Sequence, residues 1–341
     1  MIFGKKISRL LICIILSGVG LMSSPAVTYS QTILTDDSVN LKSQITSPSK
    51  QKKITLQEPS ENFYKTDSIF SFRSPKGYIP SLLFNLKEDV IAPFHYKRKQ
   101  WLITGAAVGI TAALIFADED IDEWARTLKE RHNLINKTSP VVTQFGGSAG
   151  VYTLIATGLI SAAFKNEKGV QTSLLASQAV INSGITGYII KHITGRERPK
   201  AAYIYSQQDG GKWNGPFGRY TQILPYKRSG FAFDAFPSGH TATAFSIATV
   251  FASQYNDIKG VPFFCYTAAT AVGMSRLTEH EHWASDVFVG ALLGYLSGKQ
   301  VVRHFNKLHQ NTSTDIGAEA KTKTELTFFQ DENQIGLLVK W

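Results

Sequence analysis

Six apolar stretches, at 101–117, 150–164, 172–193, 239–254, 261–275 and 284–303, constrain this chain more than any other feature. Their Ala, Gly, Ser and Thr content is that of helices packed in close contact. Several are shorter than the roughly 20 residues that span a bilayer core, so each suits a tilted membrane span or a buried helix of a bundle. The fold they predict is all-α, a six-helix bundle. With 341 residues there is room for one large domain or two.

Polar sequence flanks this middle. Residues 1–30 have a basic start (Lys5, Lys6, Arg9), an apolar run from Leu10 to Met22 and small residues after it, the form of a secretory signal; an uncleaved anchor is the competing reading. Residues 31–95 read as a flexible extension rich in Ser, Thr, Gln and Lys, followed by an amphipathic helix over "SLLFNLKEDVIAPF". Leu83, Leu86 and Val90 fall at helical spacing there, to pack on the core in the favoured reading or to lie on a membrane surface in the other, and Pro93 ends the helix. The tail, 306–341, is polar until "TELTFFQDENQIGLLVKW", which reads as a short terminal β-hairpin. Between these lies a unit over 96–305.

The net charge is +10, and +7 without the three N-terminal cations, which suits phosphate groups or a lipid surface. No basic-aromatic ladder or nucleic-acid motif accompanies it. Only Cys13 and Cys265 occur, so neither a disulfide framework nor a Cys-based metal site is available.

The polar residues at the helix ends carry the chemistry. "KHITGRERP" places Lys191 and Arg198 seven apart, with Pro199 ending the third helix. "PSGH" at 237–240 opens the fourth, and "SRLTEHEHWASD" sets Ser275, Arg276, His282 and Asp286 around the turn between fifth and sixth. Following the chain back and forth brings all three segments to one end of the bundle. Lys191, Arg198 and Arg276 supply one compact cation and two planar forks for the oxygens of a phosphate. Ser238 adds a hydroxyl, and Gly239 lets a backbone N–H approach at a helix N-terminus, where anions are stabilised. His282 and Asp286 are four apart, so the carboxylate can reach the ring and leave its other nitrogen free to attack phosphorus. His240 is then available to protonate the leaving oxygen and later to activate water. The set suffices for phosphoryl transfer without a metal or cofactor.

The pattern K-x6-RP, PSGH and SR-x5-H-x3-D resembles that of the type 2 phosphatidic acid phosphatase (PAP2) superfamily, which includes membrane lipid phosphatases, soluble bacterial acid phosphatases and vanadium haloperoxidases. All eleven fixed positions match, within about residues 96–305. The resemblance implies a helical bundle and a phosphohistidine intermediate. It implies His282 as nucleophile, Asp286 as its partner and His240 as acid-base, with Lys191, Arg198, Ser238, Gly239 and Arg276 holding phosphate. Many members carry a glycine two residues before the nucleophile, where this chain has His280, flanked by Glu279 and Glu281. These three read as rim residues or as modifiers of pH dependence and substrate preference.

The resemblance implies a lipid phosphate or isoprenoid diphosphate as substrate and a membrane as partner. A broad-specificity exported acid phosphatase is the near alternative, and a haloperoxidase holding vanadate is a further one. The loop 200–236, with Trp213, Phe217, Tyr220 and Tyr226, reads as a lid or lipid-facing lip or as a packed surface loop, and Phe231, Phe233 and Phe236 as an apolar rest for a lipid tail. Basic flanks, "HYKRKQ" and "KQVVRHFNKLH", lie opposite the motif end and place the site on the periplasmic or outer side; a soluble periplasmic protein is the alternative.

Overall fold

Caps and breakers set the helix limits. The Asn166 side chain accepts from the Gly169 N–H at one helix start, and Gly195, at φ 51°, closes that helix in the left-handed region. Ser238 caps the next long helix by accepting from the Thr241 N–H. The computed structural model describes residues 75–216, 218, 230–322, 325–331 and 334–340. Its long helices are α1 (Pro75–Ile91), α2 (Arg98–Arg131), α3 (Asn133–Val142), α4 (Ser148–Ala163), α5 (Glu167–Thr194), α6 (Gly239–Gln254), α7 (Val261–Thr278) and α8 (Ala284–Thr322). The six apolar stretches fall on α2 and α4 to α8. The expected signal, the extension before residue 75 and most of the loop from 217 to 229 lie outside the described residues. After α8, backbone strands Glu325–Asp331 and Gln334–Lys340 pair antiparallel.

Small residues let α6 lie against α8. Gly290, Gly294 and Gly298 recur every four residues along α8, on the side that meets α6. A methyl group at Gly290 would come 2.5 Å from the Ser238 carbonyl oxygen, and one at Gly298 would come 2.7 Å from the Thr249 Cβ. Around this pair α5, α6 and α8 share a core of Leu175, Ala176, Ala179, Val250, Val301 and Phe305.

The helix α1 is turned opposite to expectation. Its polar face is the one that meets the bundle, because the fully buried Gln178 of α5 needs partners. Ser81 Oγ and Asn85 Nδ2 donate to Gln178 Oε1 at 3.4 and 3.3 Å, and Gln178 Nε2 donates to the Tyr78 carbonyl at 3.1 Å. Leu83, expected inside, is 58% exposed, with Ile79 and Phe84 also outward. On α2 the apolar surface also faces out: only 11% of its most apolar window is buried. Among the described residues it is the one straight helix long and apolar enough to cross a membrane, and Asn133–Gly146 with Ser148–Ala163, bent by 58°, form a second candidate.

Candidate active site

Backbone hydrogen bonds stitch the three motif segments together at one end of the bundle. The Arg198 N–H donates to the Ala232 carbonyl at 2.8 Å, Ser238 N–H to Asp286 O at 2.9 Å, and Lys200 N–H to His280 O at 3.3 Å. All eight residues expected from the sequence are thereby gathered there.

Lys191 donates to the Asp234 carbonyl, and Arg198 donates through Nε to Asp234 Oδ1 at 2.8 Å. Arg276 is buried, donates through Nη1 to Thr143 Oγ1 at 2.6 Å, and has an Nε that finds no acceptor among the described residues. A buried guanidinium N–H without an acceptor is costly, so this one is poised for a ligand oxygen. Gly239 is exposed, and a Cβ there would meet nothing within 4 Å, which leaves open space over the α6 N-terminus. Ser238, fully buried, has its hydroxyl engaged with Thr241. Thr143 and the turn Thr143–Gly146 were not read from the sequence; a Cβ at Gly147 would sit 3.0 Å from His240 Nε2, so this turn backs the histidine.

The two histidines are held neutral. Burial, then Arg276, Arg198 and Lys191, push His240 down to about 4. Burial, then Arg198, Lys191 and Arg276, hold the 1%-exposed His282 well below the usual imidazole range. His282 Nδ1–H donates to the Ala235 carbonyl at 2.8 Å, which fixes the tautomer and leaves Nε2 with its lone pair. An unfolded chain takes up these protons as pH falls through about 6.5, whereas folded His240 waits until about 4. The unfolded state therefore binds more protons across that window, and stability falls as pH drops through it. Buried Asp89 and Asp118, raised to about 6, pull the other way, so the difference between proteins carries the test. Between about pH 6.5 and pH 4 the Tm of wild type should fall relative to that of His240→Ala, and a constant difference would contradict a buried neutral His240.

Asp286 does not make the bond expected of it. Its Oδ2 stands 3.6 Å from His282 Nδ1, and its hydrogen bonds come from the Trp283 N–H at 2.8 Å and from Arg196 Nη1 at 2.6 Å. Only its nearness to the first motif marks Arg196 in the sequence. It is fully buried and forks between Asp286 and Asp118, donating through Nη2 to Asp118 Oδ2 at 2.6 Å and through Nη1 to Ser285 Oγ at 2.7 Å. Its guanidinium carbon lies over the rings of Trp213 and Trp283, 4.6 and 5.3 Å from their centres. Trp213, 40% exposed, packs against Arg196 and Phe236. Phe217, Tyr220, Tyr226 and the Phe231 side chain lie outside the described residues. Phe233, expected on an apolar lip, is 1% exposed and so offers no surface to a lipid tail.

His280 explains the departure from glycine. Its φ is 57°, a left-handed conformation that glycine adopts without cost, and its Nδ1–H donates to Asp122 Oδ1 at 2.7 Å. The hydrogen bond offsets the backbone cost of a side chain here. His280→Ala keeps the cost and loses the contact, so it should destabilise the protein by about 1–2 kcal/mol, whereas His280→Gly should recover part of that. Denaturant midpoints for the two variants check it, and alanine as stable as glycine would contradict it.

Parts of the chain are similar to known proteins. Residues 172–310 match the model of the PAP2 superfamily. A 93-residue stretch, 26% of this chain and 20% of the relative, is 40% identical to a lipid A 1-phosphatase of Porphyromonas gingivalis. The chain thus spans about a fifth of that curated relative's length. Among solved structures, Aquifex aeolicus LpxE aligns over 53% of this chain and 93% of its own, with 22% identity and a TM-score of 0.39. A transmembrane PAP2 type phosphatidylglycerolphosphate phosphatase from Bacillus subtilis aligns over 67% and 96%, with 20% identity and a TM-score of 0.39.

Proposed function

Residues 172–310 belong to the PAP2 superfamily, and from that premise we propose that the chain is a membrane-associated phosphatase that removes phosphate from a lipid phosphate or an isoprenoid diphosphate through a phosphohistidine. The observation that carries the reading is the convergence of Lys191, Arg198 and Arg276 on His240 and His282, with the buried Arg276 Nε lacking an acceptor. In the reaction, the three cations and the amide end of α6, with Ser238 and Gly239 at its mouth, hold the phosphoryl oxygens. His282 Nε2 forms a bond to phosphorus as the bond to the leaving oxygen breaks, and His240 gives that oxygen its proton. Water then passes a proton to His240 and attacks phosphorus, which breaks the P–N bond and frees phosphate. The cations that keep His240 neutral in the empty site are those a bound phosphate neutralises, so its proton arrives with the substrate.

A lipid substrate is supported by the apolar outer surfaces of α1 and α2 and by the similarity to a lipid A 1-phosphatase. The catalytic unit is taken as 96–305, with the site on the periplasmic or outer side of the membrane. The reading is tested by release of inorganic phosphate from a panel of phosphatidate, isoprenoid diphosphate, lipid A and water-soluble phosphomonoesters, with His282→Ala as blank. Turnover of lipid phosphates above that blank supports it; turnover of soluble esters alone, or of none, overturns it.

A further inference from the structure

The anion cradle already holds an anion of its own. Glu281 Oε2 lies 2.5 Å from Arg198 Nη1 and 3.6 Å from Arg276 Nη2, so one carboxylate oxygen sits between the two guanidinium groups. Its side chain is 31% exposed, against 17% for Arg198 and 7% for Arg276, so it is the movable partner of the three. The backbone beneath it is pinned: the Glu281 and His282 N–H groups both donate to the Arg276 carbonyl, at 3.1 and 3.4 Å. Only rotation of the side chain is needed to clear the site. Glu279, two residues back, is engaged elsewhere, with Lys129 at 2.8 Å.

Two planar forks converging on one oxygen are geometry suited to phosphate. We propose that Glu281 is a built-in competitor for the phosphate position: its carboxylate fills the space between Arg198 and Arg276 in the resting site and swings aside when a phosphoryl group enters. This rests on the reading that the cradle takes phosphate. The competitor keeps the two guanidiniums partly neutralised while the site is empty, and it weakens retention of free phosphate after turnover. Glu281 is thereby a determinant of how tightly substrate and product are held, separate from the groups that break the bond.

The alternative role, a clamp that orients the two arginines, predicts the opposite sign. Binding of inorganic phosphate to the full-length, detergent-solubilised protein separates them. Glu281→Gln should bind phosphate about tenfold or more tightly than wild type, the effect of one charge-assisted hydrogen bond no longer to be displaced. KM for a phosphate ester should fall, with inhibition by product phosphate becoming stronger. Glu281→Asp, which keeps the charge but is one methylene too short to reach both guanidiniums, should also tighten binding, and Glu279→Gln should leave it unchanged. Affinity equal to or weaker than wild type in both Glu281 variants overturns the proposal, as does equal tightening in Glu279→Gln, which would mark a general charge effect. Wild type that binds no phosphate and hydrolyses no phosphate ester brings down the phosphate site itself; phosphate binding with unaltered affinity in the variants brings down the competitor alone.

Discussion

His282→Ala is expected to lower kcat by about 10⁴-fold or more, because the step it removes is bond formation to phosphorus and no neighbouring group can substitute. His282 is 1% exposed with Nδ1 tied to a carbonyl, so the lone pair on Nε2 is already aimed, and the loss is one of chemistry rather than of orientation. His240→Ala should cost less, about 10²- to 10⁴-fold, the usual range for a general acid-base. The order of the two effects is the informative part. Steady-state rates on a lipid phosphate, with Tm measured alongside to confirm folding, give it. A His282→Ala enzyme as active as His240→Ala would remove His282 from the nucleophile's role.

Arg196→Ala should be the most destabilising single change at the site, by about 3–5 kcal/mol. The side chain and its partners Asp118 and Asp286 are all fully buried, so its removal leaves two carboxylates without a cation and out of reach of water. The network also joins α2 to the first turn of α8, and the loss spreads beyond one contact. Arg196→Lys retains a charge but not the fork that reaches Asp118, Asp286, Ser285 and the Gly210 carbonyl, so it should recover only part of the stability. Thermal or denaturant unfolding measures both. A change below about 1 kcal/mol for Arg196→Ala would mean that the aspartates are protonated and hold each other without it.

What could be read from the chain was local. The six helices announce themselves because each apolar run is bounded by its own caps and breakers, and the eight expected site residues stand at fixed spacings within short segments. The remainder depends on partners far apart. Asp118 lies 78 residues before Arg196, and nothing near either one marks the pair. The carbonyl of Ala235 that orients His282 is a backbone atom, which no side-chain pattern reveals. The inversion of α1 follows from the burial of Gln178, 93 residues downstream of Asn85. Thr143 was invisible because its role, holding Arg276, is defined only by the turn that presents it.

The glycines of α8 carry a consequence for how such a site diversifies. With Gly290 closed on the Ser238 carbonyl and Gly298 on Thr249, α6 and α8 interlock at a single register, and a shift along the axis would drive backbone into side chain. His240 and Asp286 ride on those two helices, so their separation behaves as a machined constant. New substrates cannot be accommodated by sliding the helices. They have to be met by side chains such as Glu279, His280 and Glu281, which precede the nucleophile and lie outside that interlock.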